Sequence, residues 1–440
     1  MKKVLILAYD FPPYVSVGGL RPYSWYKYLN ELDVYPTVIT RQWGNKYGNH
    51  LDYITPSQSD KILIEETKQG TIIRTPYKPN LANKIMLKYG DNKFKVLRKL
   101  ISAFYELFQW VFNIGPKIQL YFATKEYLKN NKVDVIIATA EPFILFRYAS
   151  KLSQEFNTPW IADYRDTWSS NKLRAPNLLL KIFYTFVENK YVKTADLITT
   201  VSGYLKNLIA QTLKVNLPSE IIINGFDDAL PNKFRDITQS SKILNIALAG
   251  TIYKWHPIES VFNICSQFVN ENKTIQLNFY GVNIEKELQD LLKTNFPILE
   301  KSVTFYPKID NELLVKELSK SNIMLLFNDY FISGTKIYDY LAVKRKILFC
   351  FTNEQDAKVL KHKYYSSEDN KKFNNHLQED IIKETNSGIL IENTTHLKNV
   401  LQELYLEHNK NGFIECNSYD IEKYNRKLQV EKLARLIKNL

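Results

Sequence analysis

The stretch "ILNIALAG", residues 243–250, decides how the chain is organised. It is a short apolar run closed by a glycine, the pattern of a strand buried on both faces of a parallel sheet. Before it lies the polar segment "LPNKFRDITQSSK", residues 230–242, which has no strand or helix period. After it come "IQLNFYG" (275–281), "VTFYP" (303–307), "IMLLFN" (323–328), "KILFCF" (346–351) and "SGILIE" (387–392), each separated by a helix-length segment. The same alternation has already run once upstream, in "KVLILAY" (3–9), "YPTVIT" (35–40), "TIIRTP" (71–76), "DVIIATA" (134–140), "PWIADY" (159–164), "DLITTVS" (196–202) and "EIIING" (220–225), with helix-like segments at 22–32, 143–156 and 178–193. Strands alternating with helices specify an α/β class with parallel sheets. A pattern that ends and restarts specifies two of them. The expectation is two Rossmann-like, doubly wound domains facing a central cleft, spanning 1–224 and 225–415. Residues 416–440 are expected as a helix packing back towards the first domain. A chain of 440 residues is long enough for two cores. Ligands of such sheets bind at the carboxyl ends of strands.

Composition narrows the function. The apolar run in "MKKVLILAYDFPP" is too short for a signal peptide and lacks a small-residue cleavage site, so it reads as strand one. No stretch offers the apolar length of a transmembrane helix. Cys265, Cys350 and Cys416 are widely spaced and form no C-x-x-C, which favours a reducing cytoplasm. The net charge of +13 attracts nucleic acid, anionic lipid or phosphorylated small molecules. Nucleic acid is disfavoured, because zinc-ligand spacing, an RNP-like strand and a long Lys/Arg tract are all missing.

Three stretches carry chemistry. In "DFPPYVSVGGLRP" (10–22), Pro12 and Pro13 stop the strand, and Gly18 and Gly19 remove side-chain bulk where a helix should begin. Bare N–H groups at a helix start form an anion site; the plainer alternative is a turn that needs room. In "NDYFISGTKIYDYLAVKRKIL" (328–348), Ser333, Gly334 and Thr335 offer N–H groups and hydroxyls at a helix start, and Lys336 adds a positive charge. Asp339, one turn on, could take two ribose hydroxyls, or simply stabilise the helix dipole. In "DYRDTW" (163–168), Asp163, Arg165 and Asp166 follow a buried strand. They could bind an acceptor and shape a reaction centre, or form an internal Arg–Asp pair. Glu141, in "TAEPF", follows another strand and is assigned to the acceptor. His256 stands alone beside Trp255 and Pro257, suited to packing or a sugar contact. There is no D-x-D and no metal-ligand spacing, so no metal is expected.

Taken together, "DFPPYVSVGGLRP", "DVIIATAEP", "PWIADYRDTW", "ENKYVKTADLITTVS", "INGFDD", "LAGTIYKWHP", "NFYG" and "SGTKIYDYLAVKRKIL" resemble, in order and over nearly the whole chain, the retaining family 4 glycosyltransferases of the GT-B fold. The nearest resemblance is to bacterial surface-polysaccharide enzymes with a "DYRDTW"-like element. The resemblance implies a nucleoside diphosphate sugar donor, UDP or GDP, with no further cofactor. It implies that Gly18 and Gly19 face the donor's diphosphate and that Gly250, Thr251, Ser333, Gly334, Thr335, Lys336 and Asp339 complete the donor site. Lys254 falls near the cationic positions beside the β-phosphate. Asp339 takes the place of the second glutamate of the family's E-x7-E signature, and Phe331 takes the place of the first, where it cannot accept from a sugar hydroxyl. The implied reaction is transfer with retention, by front-side displacement, onto a glycan acceptor that is lipid-linked, in O-antigen, capsule or similar biosynthesis. The alternatives are a nucleotide-sugar epimerase of the same fold and a non-catalytic sugar-nucleotide-binding protein.

Residues 92–115, "NKFKVLRKLISAFYELFQWVFNIG", form an apolar helical stripe through Leu97, Leu100, Ile101, Phe104, Leu107, Phe108 and Val111, with Lys93, Lys95, Arg98 and Lys99 at its start. This suits a helix lying on an anionic membrane surface, and equally a core helix with a wet basic end. With the net charge, it suggests a cytoplasmic protein peripheral to the inner face of the membrane.

Overall fold

A computed structural model describes residues 1–44, 51–171, 177–329, 334–352 and 376–440. The chain divides into two compact units, Met1–Ile223 with Arg426–Leu440, and Asn224–Asn425.

The first unit is built on an eight-stranded sheet. Its strands are β1 (Lys2–Leu7), β2 (Val34–Arg41), β3 (Leu63–Glu66), β4 (Thr71–Thr75), β5 (Val135–Thr139), β6 (Trp160–Tyr164), β7 (Leu197–Thr200) and β8 (Ser219–Ile221). Their order is β3-β4-β2-β1-β5-β6-β7-β8. All pairings are parallel except β3 with β4. The order reverses between β1 and β5, so the loops leaving those strands diverge and open a crevice. β1 and β5 are buried on both faces, as their unbroken Val/Ile/Leu runs require. The helix Arg426–Asn439 joins this unit's core, with Val430, Leu433 and Ile437 packed among Trp25, Leu29 and Val34.

The second unit has six parallel strands: β9 (Leu244–Ala249), β10 (Ile275–Tyr280), β11 (Val303–Tyr306), β12 (Ile323–Phe327), β13 (Lys346–Cys350) and β14 (Gly388–Ile391), in the order β11-β10-β9-β12-β13-β14. Here the reversal lies between β9 and β12. The core includes Leu248, Phe262, Phe279, Leu325 and Leu397.

Four local readings differ from the structure. The first helix is Val17–Tyr28, not 22–32, because Ser16 caps it by accepting from the Gly18 N–H. A 3-10 turn, Leu29–Leu32, follows it. The run at 220–225 contributes only a three-residue strand, β8. β3 escapes the reading because all four of its residues are exposed, so no buried face imposes a period. Residues 365–380 read as a polar surface insertion; 365–375 lie outside the described residues, but 377–380 open the helix Leu377–Thr385, and Gln378 in it is buried.

Candidate functional site

The loop after β1 is organised around Asp10. Ser16 Oγ donates to Asp10 Oδ2 at 2.7 Å, and Tyr53 OH reaches the same oxygen at 3.1 Å. Beside it stands Gly18. A Cβ at Gly18 would fall 2.3 Å from Arg165 Nη1 and 3.0 Å from Asp10 Oδ2, so a side chain here would have to displace the guanidinium. Gly19 is less constrained, its Cβ falling 3.4 Å from the backbone of Phe11. The paired glycines are thus unequal, and the space at Gly18 is taken by Arg165.

Arg165 is half-buried. Its Nε donates to the carbonyl of Ala140 and its Nη2 to that of Glu141 at 3.1 Å. It therefore ties the loop after β5 to the start of the first helix. Glu141 is half-buried and Asp166 exposed. Lys117, unremarked in the sequence, lies in the same neighbourhood with its ammonium 5.4 Å from the Tyr9 ring; burial holds its pKa below the ordinary lysine value, with Glu106 opposing.

Asp163 is a correction. Read as part of the reaction centre, it is fully enclosed. The register sets Thr139 of β5 and Thr199 of β7 on either side of it. Both hydroxyls donate to its carboxylate at 2.7 Å, and Arg21 of the first helix donates from Nη2 at 2.7 Å and from Nε at 3.1 Å. Arg21 also donates to the Ile222 carbonyl at 2.5 Å. This is a buried, saturated ion pair that fastens the helix to three strands, a framework and not a substrate contact. Tyr164 and Trp168 of "DYRDTW" are locked too. Tyr164 OH and Ser169 Oγ donate to the two oxygens of buried Glu188 at 2.9 and 2.5 Å, and Trp168 stacks on Phe143 at 5.0 Å. Burial pushes the Glu188 pKa up.

A cavity of about 680 Å³ lies along the first unit, walled by Phe11, Pro12, Tyr23, Tyr26, Trp43 and Arg74.

In the second unit the loops leaving β9 and β12 come together. Gly250 ends β9 with φ +80°, a left-handed conformation open to glycine, and its Cβ would fall 3.4 Å from Lys336 Cε. Lys336 Nζ donates to the Thr251 carbonyl at 2.5 Å. Burial lowers the Lys336 pKa, and the charge of Asp329 opposes this. Thr335 and Lys336 open the helix Lys336–Val343, whose first N–H groups lie beside this lysine. Asp339 is buried in that helix and accepts from Asn311 Nδ2 at 3.0 Å. Lys254 is exposed. Ser333 and Phe331 lie outside the described residues.

His256 is not a lone packing residue. Its Nδ1 accepts the Tyr253 N–H at 3.2 Å, which leaves the proton on Nε2, and Nε2 donates to Asp329 Oδ1 at 2.7 Å. Burial lowers the His256 pKa, and the Asp329 hydrogen bond opposes this. Sequence reading missed Asp329; the available signal was a carboxylate two residues beyond a buried strand.

With this geometry in view, the chain can be set beside known proteins. The family described as Glycosyltransferase Family 4 matches residues 23–230. No curated protein matches significantly. Among solved structures, sucrose-phosphate synthase from Thermosynechococcus elongatus superimposes with a TM-score of 0.61 at 13% identity, covering 100% of this chain and 99% of that one. HepE from Anabaena, in complex with UDP-glucose, gives 0.56 at 12% identity, covering 100% of both. An alpha,alpha-trehalose-phosphate synthase (UDP-forming) from Burkholderia xenovorans, in complex with glucose-6-phosphate, gives 0.58 at 9% identity, covering 99% of this chain and 100% of that one. The fold is GT-B. In GT-B terms the candidate site residues sit after β1, β5 and β6 of one unit and after β9 and β12 of the other, with the order reversals at β1/β5 and β9/β12. The family match spans residues 23–230, and the likeness of fold extends over the whole chain.

Proposed function

We propose that this chain is a retaining glycosyltransferase that moves a hexose from UDP- or GDP-sugar to a lipid-linked glycan acceptor in surface polysaccharide biosynthesis. The observation that carries the reading is the convergence of Gly250, Thr251 and Lys336 at the start of the helix Lys336–Val343. There a lysine and the N–H groups of a helix start can meet a diphosphate. Asp339 would hold the ribose. In the reaction the bond from the anomeric carbon to the phosphate oxygen breaks and the acceptor oxygen bonds to the same face. The acceptor's proton passes to the departing phosphate. Lys336, Lys254 and the helix N–H groups stabilise the charge that develops on it. Arg165 and Glu141 border the acceptor in the first unit. The residues assigned here need no metal. The test is nucleotide release from a panel of UDP- and GDP-sugars, with and without glycan acceptors. Release that an acceptor accelerates supports transfer; no turnover of any donor sinks the reading.

The acceptor's lipid and a peripheral membrane location belong to the same proposal. Among the described residues no helix is long and apolar enough to cross a membrane. The helix Lys95–Phe108 buries none of its residues, with Val96 73% and Leu100 65% exposed. Helix Leu178–Val192 leaves Leu179 78% and Phe186 65% exposed, and Tyr184 OH joins the two helices through Glu106 at 3.2 Å. A helix with a bare apolar stripe gains little stability alone and calls for a covering phase. The exposed cations Lys93, Lys95 and Lys99 select an anionic bilayer, at about 1 kcal/mol each, while Arg98 is turned onto Asp91 and the Lys93 carbonyl. Changing Lys95, Arg98 and Lys99 together to Gln should release the protein from anionic vesicles; unchanged binding at every salt concentration would rule this surface out.

A further inference from the structure

The helix Leu377–Thr385 delivers a side chain to the donor loops from a stretch with no strand or helix signal. Gln378 is 2% exposed. Its Oε1 accepts the backbone N–H of Asp329 at 3.0 Å, which fixes the orientation of the amide. Its Nε2 is buried and has no hydrogen-bond partner among the described residues. Buried polar groups in folded proteins are almost always paired, so an amide held in place by its oxygen with its nitrogen unused calls for an explanation. The direction of that nitrogen supplies one. A Cβ placed on Gly334 would lie 3.7 Å from Gln378 Nε2 and 3.4 Å from Asp329 Oδ2. The residue that faces the amide is therefore the glycine just before Thr335 and Lys336, which places no side chain of its own against that nitrogen. The platform behind it is fixed, because Asp329 is itself gripped by His256 at 2.7 Å.

We propose that Gln378 is a donor-binding residue whose Nε2 donates a hydrogen bond to an oxygen of the nucleotide sugar at the start of the helix Lys336–Val343. The inference rests on reading the second unit as the donor site. An amide N–H pairs with either of two donor oxygens, a phosphate oxygen or a sugar hydroxyl. Both are acceptors at hydrogen-bond range, and the experiment separates them.

Gln378→Glu keeps the acceptor that Asp329 N–H requires and replaces the amide nitrogen by oxygen. Gln378→Met keeps the length and removes both polar atoms. Each variant, checked for folding by thermal unfolding, is titrated calorimetrically with UDP and with UDP-glucose beside the parent, and with GDP and GDP-mannose if the parent prefers guanine. Tenfold or greater weakening for the bare nucleotide and its sugar places the contact on phosphate. Weakening for the nucleotide sugar alone places it on the sugar. Parent-like affinity of a folded variant for both ligands overturns the proposal and leaves Gln378 as a brace for Asp329. A parent that binds no nucleotide fails earlier, at the donor-site reading, so the two failures are distinguishable. If the Glu variant does not fold, the Met variant decides.

Discussion

The end of β6 with the turn that follows it, and the loops after β9 and β12, are both rich in charge, yet they use it in opposite ways. In the first, charge is consumed internally. Asp163 is saturated by Arg21, Thr139 and Thr199, and Arg165 is spent on two carbonyls. In the second, groups are held in place but remain available. Among the described residues, Lys336 has its ammonium on a single backbone carbonyl and Gln378 has an unused N–H pair. A cluster of charged residues after a strand is therefore weak grounds for chemistry until its partners are counted. Polar groups that the chain itself satisfies fix the frame, and those left unsatisfied are where a ligand gains.

The largest expected effect attacks the closed region. Asp163→Ala removes one partner of a buried ion pair and strands Arg21, at a cost of about 3–5 kcal/mol. Denaturant unfolding should show it. Asp166→Ala, at an exposed position of the same turn, should stay within about 0.5 kcal/mol of the parent. Equal effects at the two positions would break the comparison.

Next in size is the open region. Lys336→Met preserves stem volume and removes the charge. Nucleotide diphosphate affinity should fall by about 1.5–3 kcal/mol, the range for charged hydrogen bonds, with little loss of stability. The pH dependence gives a second handle. Because burial lowers the Lys336 pKa, the folded protein releases this proton at a lower pH than the unfolded chain does. Its contribution to folding is thus unfavourable below the native pKa and is relieved as pH rises from there towards the ordinary lysine value. Affinity runs the other way. Nucleotide binding should weaken as pH climbs through the lowered pKa, and Lys336→Met should lack that alkaline limb. An identical pH profile in the variant would remove Lys336 from the site.

The smallest effect separates two neighbours. Gly18→Ala should cost about 1–3 kcal/mol, because the new methyl pushes Arg165 from its carbonyls. Gly19→Ala should be neutral or slightly stabilising, since alanine is favoured in a helix by up to about 1 kcal/mol. Equal costs, read from thermal unfolding, would mean that Arg165 does not set the spacing.

Much of this architecture is legible in the residues. The runs at 4–7, 135–139, 244–249 and 323–327 are short and predominantly apolar, and each becomes a central strand. The amphipathic stripe at 97–108 becomes a helix. What escapes is long-range pairing. Nothing near Asp163 signals that its partner is Arg21, 142 positions away. The glycine pair masks a helix start because Gly18 and Gly19 read as a turn, while the cap at Ser16 is a single hydroxyl. Gln378 escapes because its neighbours are polar and aperiodic, and its burial depends on Asp329 from a different strand end.

The most direct test of where the donor binds is amide hydrogen exchange of the whole protein with and without saturating UDP or GDP. Binding should slow exchange at Gly250, Thr251 and residues 334–336, and leave the amides of residues 163–169 unchanged, since that turn is already closed. Protection confined to residues 163–169, with none at Gly250 or Lys336, would contradict the account.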